Sequence, residues 1–411
     1  MSRLPNPLEM ETGEMFKLPA KRILSDRGIR QAMEFGLIKT VPKFDYHKDP
    51  TRIQPATLDL RIGGHEGAEI ISPGIKSDKI KEIIWPKTIA LPARAISEVS
   101  LSELVDFGQF DGRRGLTRPN YLNIMIEARS SLRRFGAYMP NWGMYFFSDS
   151  RFSHLEVGNF SLNDIYLKSG ERIAQAFFRV LPFADYHHTS MGYPFKARPL
   201  KSGEKIRSLD MGIELTINEQ LIELQRKGYF KVTPKLAVDK GGVIVHASKT
   251  AFKMKRMKKG IDFTNRDKYD KGEILEPIDI SKGYLVKPFE HVLIEVKEKF
   301  YLSSNVGIEF WDNLIPDVVN DFRGSYNTRG DMERMFRNIP VIGLPDGWID
   351  PGYSGMFSRQ PKWLTGRVIH PGDPIGFGQV FFFPNGVENP YGSEKLGSQY
   401  HKNKNIAFSR K

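Results

Sequence analysis

The sequence predicts a mainly β protein, made of two tandem β-barrel or jelly-roll-like domains with a few short helices. Three observations lead to this prediction. Segments rich in Val, Ile, Phe and Tyr recur at short intervals, Gly and Pro separate them, and an early part of the chain is similar to a later part. The 411 residues include 37 Gly and 26 Pro, which fits a protein with many turns. The length favours two domains or a few over one.

The local patterns place individual elements. Short apolar runs predict strands, among them Asn123–Ala128, Met144–Ser148, Arg172–Val180, His291–Val296 and Pro374–Phe383. Helices are few, and the predicted ones are Asp26–Phe35, Ser100–Val105 and Ile217–Lys227. Gly36 and Gly228 follow the first and the last of these, as expected for helix stops. In the run Lys249–Lys259 basic residues alternate with apolar ones, which predicts a solvated strand or helix face, with a phosphate contact as the alternative.

A repeat at long period gives the domain organisation. Residues 27–62 and 219–254 both carry a helix-like stretch, a Gly stop, an apolar pair with Lys, and a Pro-Lys pair before a β-type run. The offset is 192 residues at the Gly stops, Gly36 and Gly228, and again at the start of the β-type run. A polar, turn-rich stretch joins the two copies. We therefore expect two domains, at residues 1–200 and 201–411.

The composition limits the chemistry. The net charge is +13, and basic proteins attract polyanions, here either a triphosphate ligand or, weakly, nucleic acid. No nucleic-acid recognition motif is present, so a nucleic-acid partner is not expected. The absence of Cys excludes disulfides, thiolate nucleophiles, Cys-ligated zinc and the signature of zinc nucleobase deaminases. No apolar run reaches the ~18 residues of a membrane span and no secretory signal is visible, so we expect a cytoplasmic protein without a membrane partner.

One short segment has the chemistry of a phosphate site. Arg129 is followed by two adjacent hydroxyls, Ser130 and Ser131, and then by Arg134 at the next helical turn. Ser hydroxyls and backbone N–H groups donate hydrogen bonds to phosphate oxygens, and an Arg can neutralise their charge bidentately. The alternative is an ordinary helix N-terminus with a Ser cap, because the pattern is short.

Four motifs occur in an order that carries a family resemblance. They are RIQPATLDLRIG at residues 52–63, the Ser-Ser segment, GERIAQ at residues 170–175 and DGWIDPGYSG at residues 346–355. Together they resemble the dCTP deaminase and dUTPase superfamily. The two-copy layout is most similar to the long, tandem dCTP deaminases of some bacteria. The resemblance spans the chain from about Gly28 to about Asn405.

The resemblance implies a dUTPase-like β barrel, nucleotide sites between domains, a homo-oligomer, a deoxypyrimidine triphosphate ligand, and Mg²⁺ bound with it but no zinc. It implies that the Ser-Ser segment binds phosphates and helps hold the reacting water, and that residues 346–355 hold the base and deoxyribose. It also implies a C-terminal tail that closes over the ligand. The residues so placed as substrate contacts are Arg129, Ser131, Gln175, Gly352, Tyr353, Gln379, Tyr391, Tyr400 and Lys402. Those placed in catalysis are Ser130, Arg134, Glu156 and Asp350.

The two copies keep different parts of this site. Glu156 stands where deaminases have the Glu that shuttles protons, but residues 140–149 before it do not resemble the family's hairpin. The second copy has the hairpin with Asp350, but Gln360 stands at the position of the Glu. A Gln has no proton to shuttle in this way. The two possible pairings of segments therefore imply different chemistry, and the sequence leaves both open.

Three functions follow from these residues. The first, favoured by Glu156, is hydrolytic, zinc-independent deamination of dCTP to dUTP and ammonia, in which one carboxylate of raised pKa moves the proton. The second, favoured by Asp350 with Gln360, is a dUTPase-type pyrophosphohydrolase. The third is a non-catalytic nucleotide-binding or assembly protein that keeps the fold. We expect the first of these, a dCTP deaminase-like hydrolase.

Overall fold

The computed structural model describes residues 22–63, 88–106, 121–139, 151–181, 208–234, 237–239, 242–269, 271–287, 290–311, 345–360, 367–394 and 396. Within these ranges the chain consists mostly of strands, and the predicted mainly β fold class is confirmed. No helix in the described ranges is both long and apolar enough to cross a membrane. Below, the first half means residues up to 200 and the second half the residues after them.

The described part of the first half contains the strands β1 (Arg22–Leu24), β2 (Lys39–Val41), β3 (Leu58–Arg61), β4 (Thr88–Leu91), β5 (Ala95–Asp106), β6 (Tyr121–Ala128), β7 (Ala137–Tyr138), β8 (Arg151–Asn159), β9 (Ile165–Lys168) and β10 (Arg172–Leu181). That of the second half contains β11 (Met211–Glu214), β12 (Phe230–Thr233), β13 (Ala237–Asp239), β14 (Gly242–Met254), β15 (Ile261–Asp262), β16 (Leu275–Asp279), β17 (Tyr284–Val286), β18 (Val292–Val296), β19 (Lys299–Leu302), β20 (Val306–Trp311), β21 (Pro345–Ile349), β22 (Ser354–Gly355), β23 (Ser358–Arg359), β24 (Arg367–Ile369) and β25 (Pro374–Phe382). The α-helices in the same ranges are α1 (Asp26–Glu34), α2 (Ser130–Arg134), α3 (Asn218–Arg226) and α4 (Lys271–Ile274). Short 3₁₀ segments lie at Pro50–Arg52 and Phe263–Lys268.

The strand pairings of the first half recur in the second half. β10 pairs with β1, β3 and β6, and β25 pairs with β11, β14 and β20. β5 joins β2 to β8, as β19 joins β12 to β22. β4 pairs with β9, as β17 pairs with β24. The recurrence supports the tandem repeat, which stays a prediction of the sequence.

The two long helices lie where the sequence places them. The Ser25 hydroxyl caps α1 by accepting a hydrogen bond from the Gly28 N–H at 3.0 Å. Gly36 and Gly228, just beyond α1 and α3, have φ values of 68° and 79°, a left-handed conformation that glycine adopts without strain. The two helices begin at Asp26 and Asn218, and so keep the offset found at the glycines.

The helix predicted at Ser100–Val105 is wrong, because these residues belong to the long strand β5. β5 pairs with β8, and the register shifts between Ser100 and Val105. Val99, Leu101 and Val105 are all buried. An irregularity in a strand interrupts the two-residue alternation of apolar side chains, and the resulting spacing imitates that of a helix.

The strand predictions that fall on described residues agree with the structure. Asn123–Ala128 lies within β6, Arg172–Val180 within β10, and the other two described predictions match β18 and β25 to within one residue at each end. The fifth prediction, Met144–Ser148, lies outside the described residues. The run Lys249–Lys259 covers the end of β14 and the turn after it, where most of its basic side chains are exposed.

One sheet runs through both halves. β1 and β11 pair antiparallel, which joins the β10 side of the first half to the β25 side of the second. Each half has an apolar core. A smaller apolar cluster lies between them, and its buried members are Ile23, Ala56, Met125, Phe177, Phe381, Phe383 and Val387. The halves are therefore held together both by backbone pairing and by buried apolar surface.

The first core also contains residues of the second half. Buried side chains of this kind are Leu209, Met254, Ile261, Phe263, Ile274, Leu275 and Leu293. β15 pairs in parallel with β9 of the first half, and the ring of Phe263 packs edge-on against Phe135 at 5.6 Å. The limits at residues 1–200 and 201–411 stay a prediction, and the segment from residue 254 to 275 packs across them.

Candidate active site between the two halves

A pocket opens where α2 of the first half faces residues 346–355 of the second half, here called the 346–355 hairpin. From the first half it is lined by Ser130, Arg133 and Arg134. From the second half it is lined by Phe310, Gly347, Trp348, Ile349, Asp350, Tyr353, Phe357, Ser358, Gln360 and Tyr391. The structure thus pairs the Ser-Ser segment of the first half with the hairpin of the second half, one of the two pairings that the sequence left open.

The candidate phosphate-binding segment is the five-residue helix α2, directly after β6. The Arg133 N–H donates to the Arg129 carbonyl at 3.0 Å, which closes the turn. Ser130 and Arg134 face the pocket, whereas Ser131 is buried and is not part of its lining. Arg129 is partly exposed beside α2. Helix α2 therefore lines the pocket with one hydroxyl and two guanidinium groups, those of Ser130, Arg133 and Arg134.

The opposite wall carries the carboxylate Asp350. The Trp348 indole Nε1 donates a hydrogen bond to Asp350 Oδ1 at 2.9 Å. The Trp348 ring itself packs against Phe177 of the first half and Phe381 of the second, each with 5.6 Å between ring centroids. The position of the carboxylate is therefore set by an aromatic cluster that spans both halves.

The pKa of Asp350 is strongly shifted. Burial raises it to about 7, while the hydrogen bond from Trp348 opposes the rise. The charge of Asp59 raises it further and that of Arg129 lowers it. A carboxyl group with a pKa near 7 is present in both protonation states at neutral pH, which is the condition for taking up and releasing a proton during one reaction.

Asp59 lies fully buried close to this site. Its Oδ2 lies 3.4 Å from a guanidinium nitrogen of Arg129 and 3.4 Å from one of Arg172. Burial raises the pKa of Asp59, although both arginines oppose the rise. Asp59 therefore holds Arg129 in place and adds negative charge behind Asp350.

The two residues that stand at the family's proton-shuttle position, Gln360 and Glu156, are separated. Gln360 lines the pocket and is buried, and its Nε2 donates to the Ser358 carbonyl at 3.3 Å. Glu156 is exposed on β8, opposite Glu98 of β5, and is not part of the pocket lining. Asp350 is the one carboxylate among the described residues that line the pocket.

Two predicted substrate contacts lie in the sheets behind the pocket. Gln175 on β10 donates from Nε2 to Thr57 Oγ1 at 3.3 Å. Gln379 on β25 is 1% exposed, and its amide has no hydrogen-bond partner among the described residues. Neither residue lines the pocket. Their predicted contact with substrate stays a prediction.

The beginning of the predicted tail borders the pocket. Gly352, in the turn of the hairpin, has a φ of 90°. The Tyr391 N–H donates a hydrogen bond to the Pro351 carbonyl at 2.8 Å, which joins the tail to this turn. The rings of Tyr353 and Tyr391 lie 5.6 Å apart at the pocket wall. Two aromatic rings thus flank the space beside Asp350. The other predicted tail contacts, Tyr400 and Lys402, lie outside the described residues, as does the 140–149 segment.

Sequence reasoning missed three groups that shape the site. Trp348 lies inside the quoted 346–355 motif, so its place in the hairpin was a usable signal. Arg133 adjoins Arg134 and faces the same pocket, but nothing in the sequence separated its role from that of its neighbour. Phe357 packs against Phe310 at 5.1 Å, and such a contact between distant residues has no local sequence signal.

Comparison with known proteins gives the family. No family model matches the chain. The "dCTP deaminase, dUMP-forming" of Aquifex aeolicus is 32% identical over 170 residues, which cover 38% of this chain and 80% of that protein. The chain belongs to the dCTP deaminase family. The enzyme of the same description from a Sulfurihydrogenibium species is 28% identical over 167 residues, covering 38% of this chain and 82% of the relative.

A solved structure extends the likeness over both halves. The 2'-deoxycytidine 5'-triphosphate deaminase of Agrobacterium tumefaciens superposes with a TM-score of 0.57, covering 90% of this chain and 99% of that one. The sequence identity is 15%, so this likeness concerns the fold. The superfamily predicted from the four motifs, its dUTPase-like fold and its assignment to deaminase-like enzymes are confirmed.

Proposed function

We propose that the pocket between the halves deaminates dCTP to dUTP and ammonia, with Asp350 as the group that carries the proton. One observation supports this most directly. A carboxyl with a pKa of about 7 faces the same pocket as the phosphate-binding candidates Ser130 and Arg134. Deamination in this family requires a proton carrier near the base, and Asp350 meets the physical requirement without a metal ion at the base.

The chemical step balances with this one group. Ionised Asp350 takes a proton from a water molecule as the water oxygen bonds to C4 of cytosine. The protonated carboxyl then gives that proton to the leaving amine, the C4–N bond breaks, and ammonia departs. The second water proton ends on the ring nitrogen N3, which leaves uracil. Because the same carboxyl receives and returns the proton, its pKa must lie near the working pH.

The other lining residues suit the rest of the ligand. The Ser130 hydroxyl and the Arg134 guanidinium would bind phosphate oxygens, and the rings of Tyr353 and Tyr391 would flank the base or sugar. No group of three or more His, Cys, Asp or Glu among the described residues could hold a metal ion. We therefore propose that Mg²⁺ enters bound to the triphosphate oxygens, where it neutralises charge, and no step above uses it.

A second candidate is release of pyrophosphate with dUMP as product. The relatives quoted above are described as dUMP-forming. Asp350 and the phosphate-binding candidates share one pocket, so the same carboxylate could direct water to the phosphates instead of to the base. The two reactions differ in their products and are separable by one assay.

The test uses the full chain with dCTP or dUTP and Mg²⁺, and measures ammonia, dUTP, dUMP and pyrophosphate. We expect ammonia from dCTP, with a loss of about 100-fold or more in Asp350→Asn, the scale on which a general acid–base contributes. Asn keeps an oxygen that can accept the Trp348 hydrogen bond, so the substitution removes the titratable group alone. Glu156→Gln is the matched control and should retain activity.

Other results of this assay would assign the proton transfer to another residue or the chain to another function. Ammonia that vanishes in Glu156→Gln but persists in Asp350→Asn would transfer the role to Glu156. Pyrophosphate that depends on Asp350 without any ammonia would establish the second candidate. If no product forms and dCTP only raises the melting temperature, the chain is a nucleotide-binding protein without turnover.

A further inference from the structure

We propose that His291 is a positioning residue, through which the second half holds the phosphate-binding helix α2 of the first half in place. His291 is 5% exposed and lies just before β18. Its Nε2 lies 2.8 Å from the carbonyl oxygen of Arg134, the last residue of α2. Its Nδ1 lies 3.3 Å from the hydroxyl of Tyr138 on β7. One side chain of the second half thus contacts two elements of the first.

The carbonyl of Arg134 lies at the C-terminal end of α2 and accepts no hydrogen bond from within the helix. The Leu132 carbonyl accepts from the Phe135 N–H at 3.0 Å, and the Arg133 carbonyl accepts from the Gly136 N–H at 2.8 Å. The last carbonyls of a helix have no intrahelical donors. For Arg134, His291 supplies a donor from the other half of the chain.

The two contacts of the ring fit one tautomer. A carbonyl oxygen only accepts, so Nε2 must carry the hydrogen. On a neutral ring Nδ1 then accepts, and the Tyr138 hydroxyl can donate to it. The Tyr138 ring also packs edge-on against the imidazole at 6.1 Å. Both ring nitrogens are therefore used, and both partners belong to the first half.

His291 acts through Arg134 and not on the ligand. The lining of the pocket, as drawn from the described residues, includes Arg134 but not His291. A shift of the Arg134 backbone would move its guanidinium and the Ser130 hydroxyl relative to the hairpin. This inference rests on the proposed function insofar as α2 binds phosphate, so the ligand used to test it is inorganic tripolyphosphate as well as dCTP.

The test compares His291→Leu, His291→Gln and Tyr138→Phe in the full chain. Gln can place an amide N–H near the position of Nε2, whereas Leu removes the donor at similar volume. For His291→Leu we expect dissociation constants for tripolyphosphate and dCTP about tenfold higher, on the scale of one lost buried hydrogen bond, with kcat changed much less than KM. Binding of 2'-deoxycytidine, which lacks phosphates, should not change. His291→Gln should restore most of the affinity, and Tyr138→Phe should fall between Gln and Leu.

A second readout needs neither ligand nor turnover. Hydrogen exchange at residues 130–136 should be faster in His291→Leu and close to wild type in His291→Gln. Equal affinity and exchange in wild type and His291→Leu would overturn the inference, as would equal losses in the Leu and Gln variants. A wild type that fails to bind tripolyphosphate would also overturn it. If the wild type binds tripolyphosphate in a His291-dependent way but makes no product from dCTP, the proposed reaction fails and this inference stands.

Discussion

The guanidinium of Arg133 lies against the backbone of Gly347, across the boundary between the two halves. A Cβ atom on residue 347 would lie 2.5 Å from Arg133 Nη2, so the guanidinium would have to shift to make room for it. Gly347 also has a φ of 128°, a conformation that other residues adopt only with strain. Nη1 of Arg133 lies 3.8 Å from Glu127 on β6. This contact places the Arg133 guanidinium of α2 directly against the 346–355 hairpin, at the wall of the pocket.

Gly347→Ala should therefore displace the Arg133 guanidinium as well as strain the backbone. We expect a loss of stability of roughly 1–3 kcal/mol from strain alone, and a rise in KM because the displaced guanidinium lines the pocket. Gly372→Ala is the matched control, since its φ of 89° is also positive but nothing lies within 4 Å of its Cβ position. Denaturant unfolding and KM for dCTP measure the two effects. An unchanged KM in Gly347→Ala would contradict the role of this contact.

The raised pKa of Asp350 predicts a dependence of stability on pH. The folded-state pKa of about 7 lies above the ordinary value of 3.8, so the folded protein binds a proton that the unfolded chain has released. The contribution of Asp350 to the free energy of unfolding is fully present below pH 4 and is lost as the pH rises to about 7. The loss is at most about 4 kcal/mol at 1.36 kcal/mol per pKa unit.

Asp350→Asn should remove that loss, so the variant gains stability relative to wild type as the pH rises from 4 to 8. Urea unfolding at both pH values measures it. A stability difference that does not change between pH 4 and pH 8 would show that the carboxyl titrates normally. If Asp350 also serves as the proton carrier, kcat/KM of the wild type should rise with pH through about 7.

A buried ion pair joins the two halves and predicts an asymmetric mutational response. Arg179 on β10 and Glu309 on β20 are both completely buried and bond to each other. Glu309→Gln removes the negative charge bonded to this buried guanidinium, and we expect a loss of about 3–5 kcal/mol in unfolding free energy. The double variant Arg179→Met with Glu309→Leu should recover most of that loss, because no unpaired charge remains. Calorimetry of the wild type and the two variants tests this, and equal losses in the single and double variants would refute it.

Asp26 should control the segment that leads into Tyr391. Its two carboxylate oxygens accept hydrogen bonds from the backbone N–H groups of Glu388 and Asn389 at 3.0 and 2.8 Å. Asp26→Ala releases both, and we expect KM for dCTP to rise several-fold while kcat changes little, on the scale of two hydrogen bonds of about 1 kcal/mol each. Asp279→Ala is the control, because Asp279 also holds a backbone N–H, that of Ser281, but in an exposed turn. A normal KM in Asp26→Ala would show that Tyr391 needs no anchor.

Local signals in the sequence were enough for the helices and for most strands. The Ser25 cap and the stop at Gly36 both lie within a few residues of the helix they delimit, so propensity alone places α1. The strand β5 was missed at Ser100–Val105 because its irregularity breaks the alternation from which strands are recognised. The order of four short motifs was enough for the family, which the comparisons confirm.

The site was harder to predict from the sequence than the fold, because it forms between segments that are far apart in the chain. Ser130 and Asp350 were each named, but their meeting in one pocket depends on how the halves pair, and no local pattern records that. Burial by the surrounding structure produces the shifted pKa of Asp350, so the sequence alone gave no reason to prefer it to Glu156 as the proton carrier. The expected homo-oligomer, the bound Mg²⁺ and the cytoplasmic location stay predictions.

The segment from residue 254 to 275 has a consequence for how the chain is made. It contributes to the interior of the first half, together with Leu293, although about fifty residues of the second half precede it in the chain. During synthesis from the N-terminus, the first half must therefore wait for residue 293 before its interior can close. A ribosome-bound chain that ends near residue 200 would present exposed apolar surface to chaperones, even though the predicted first domain had already been translated.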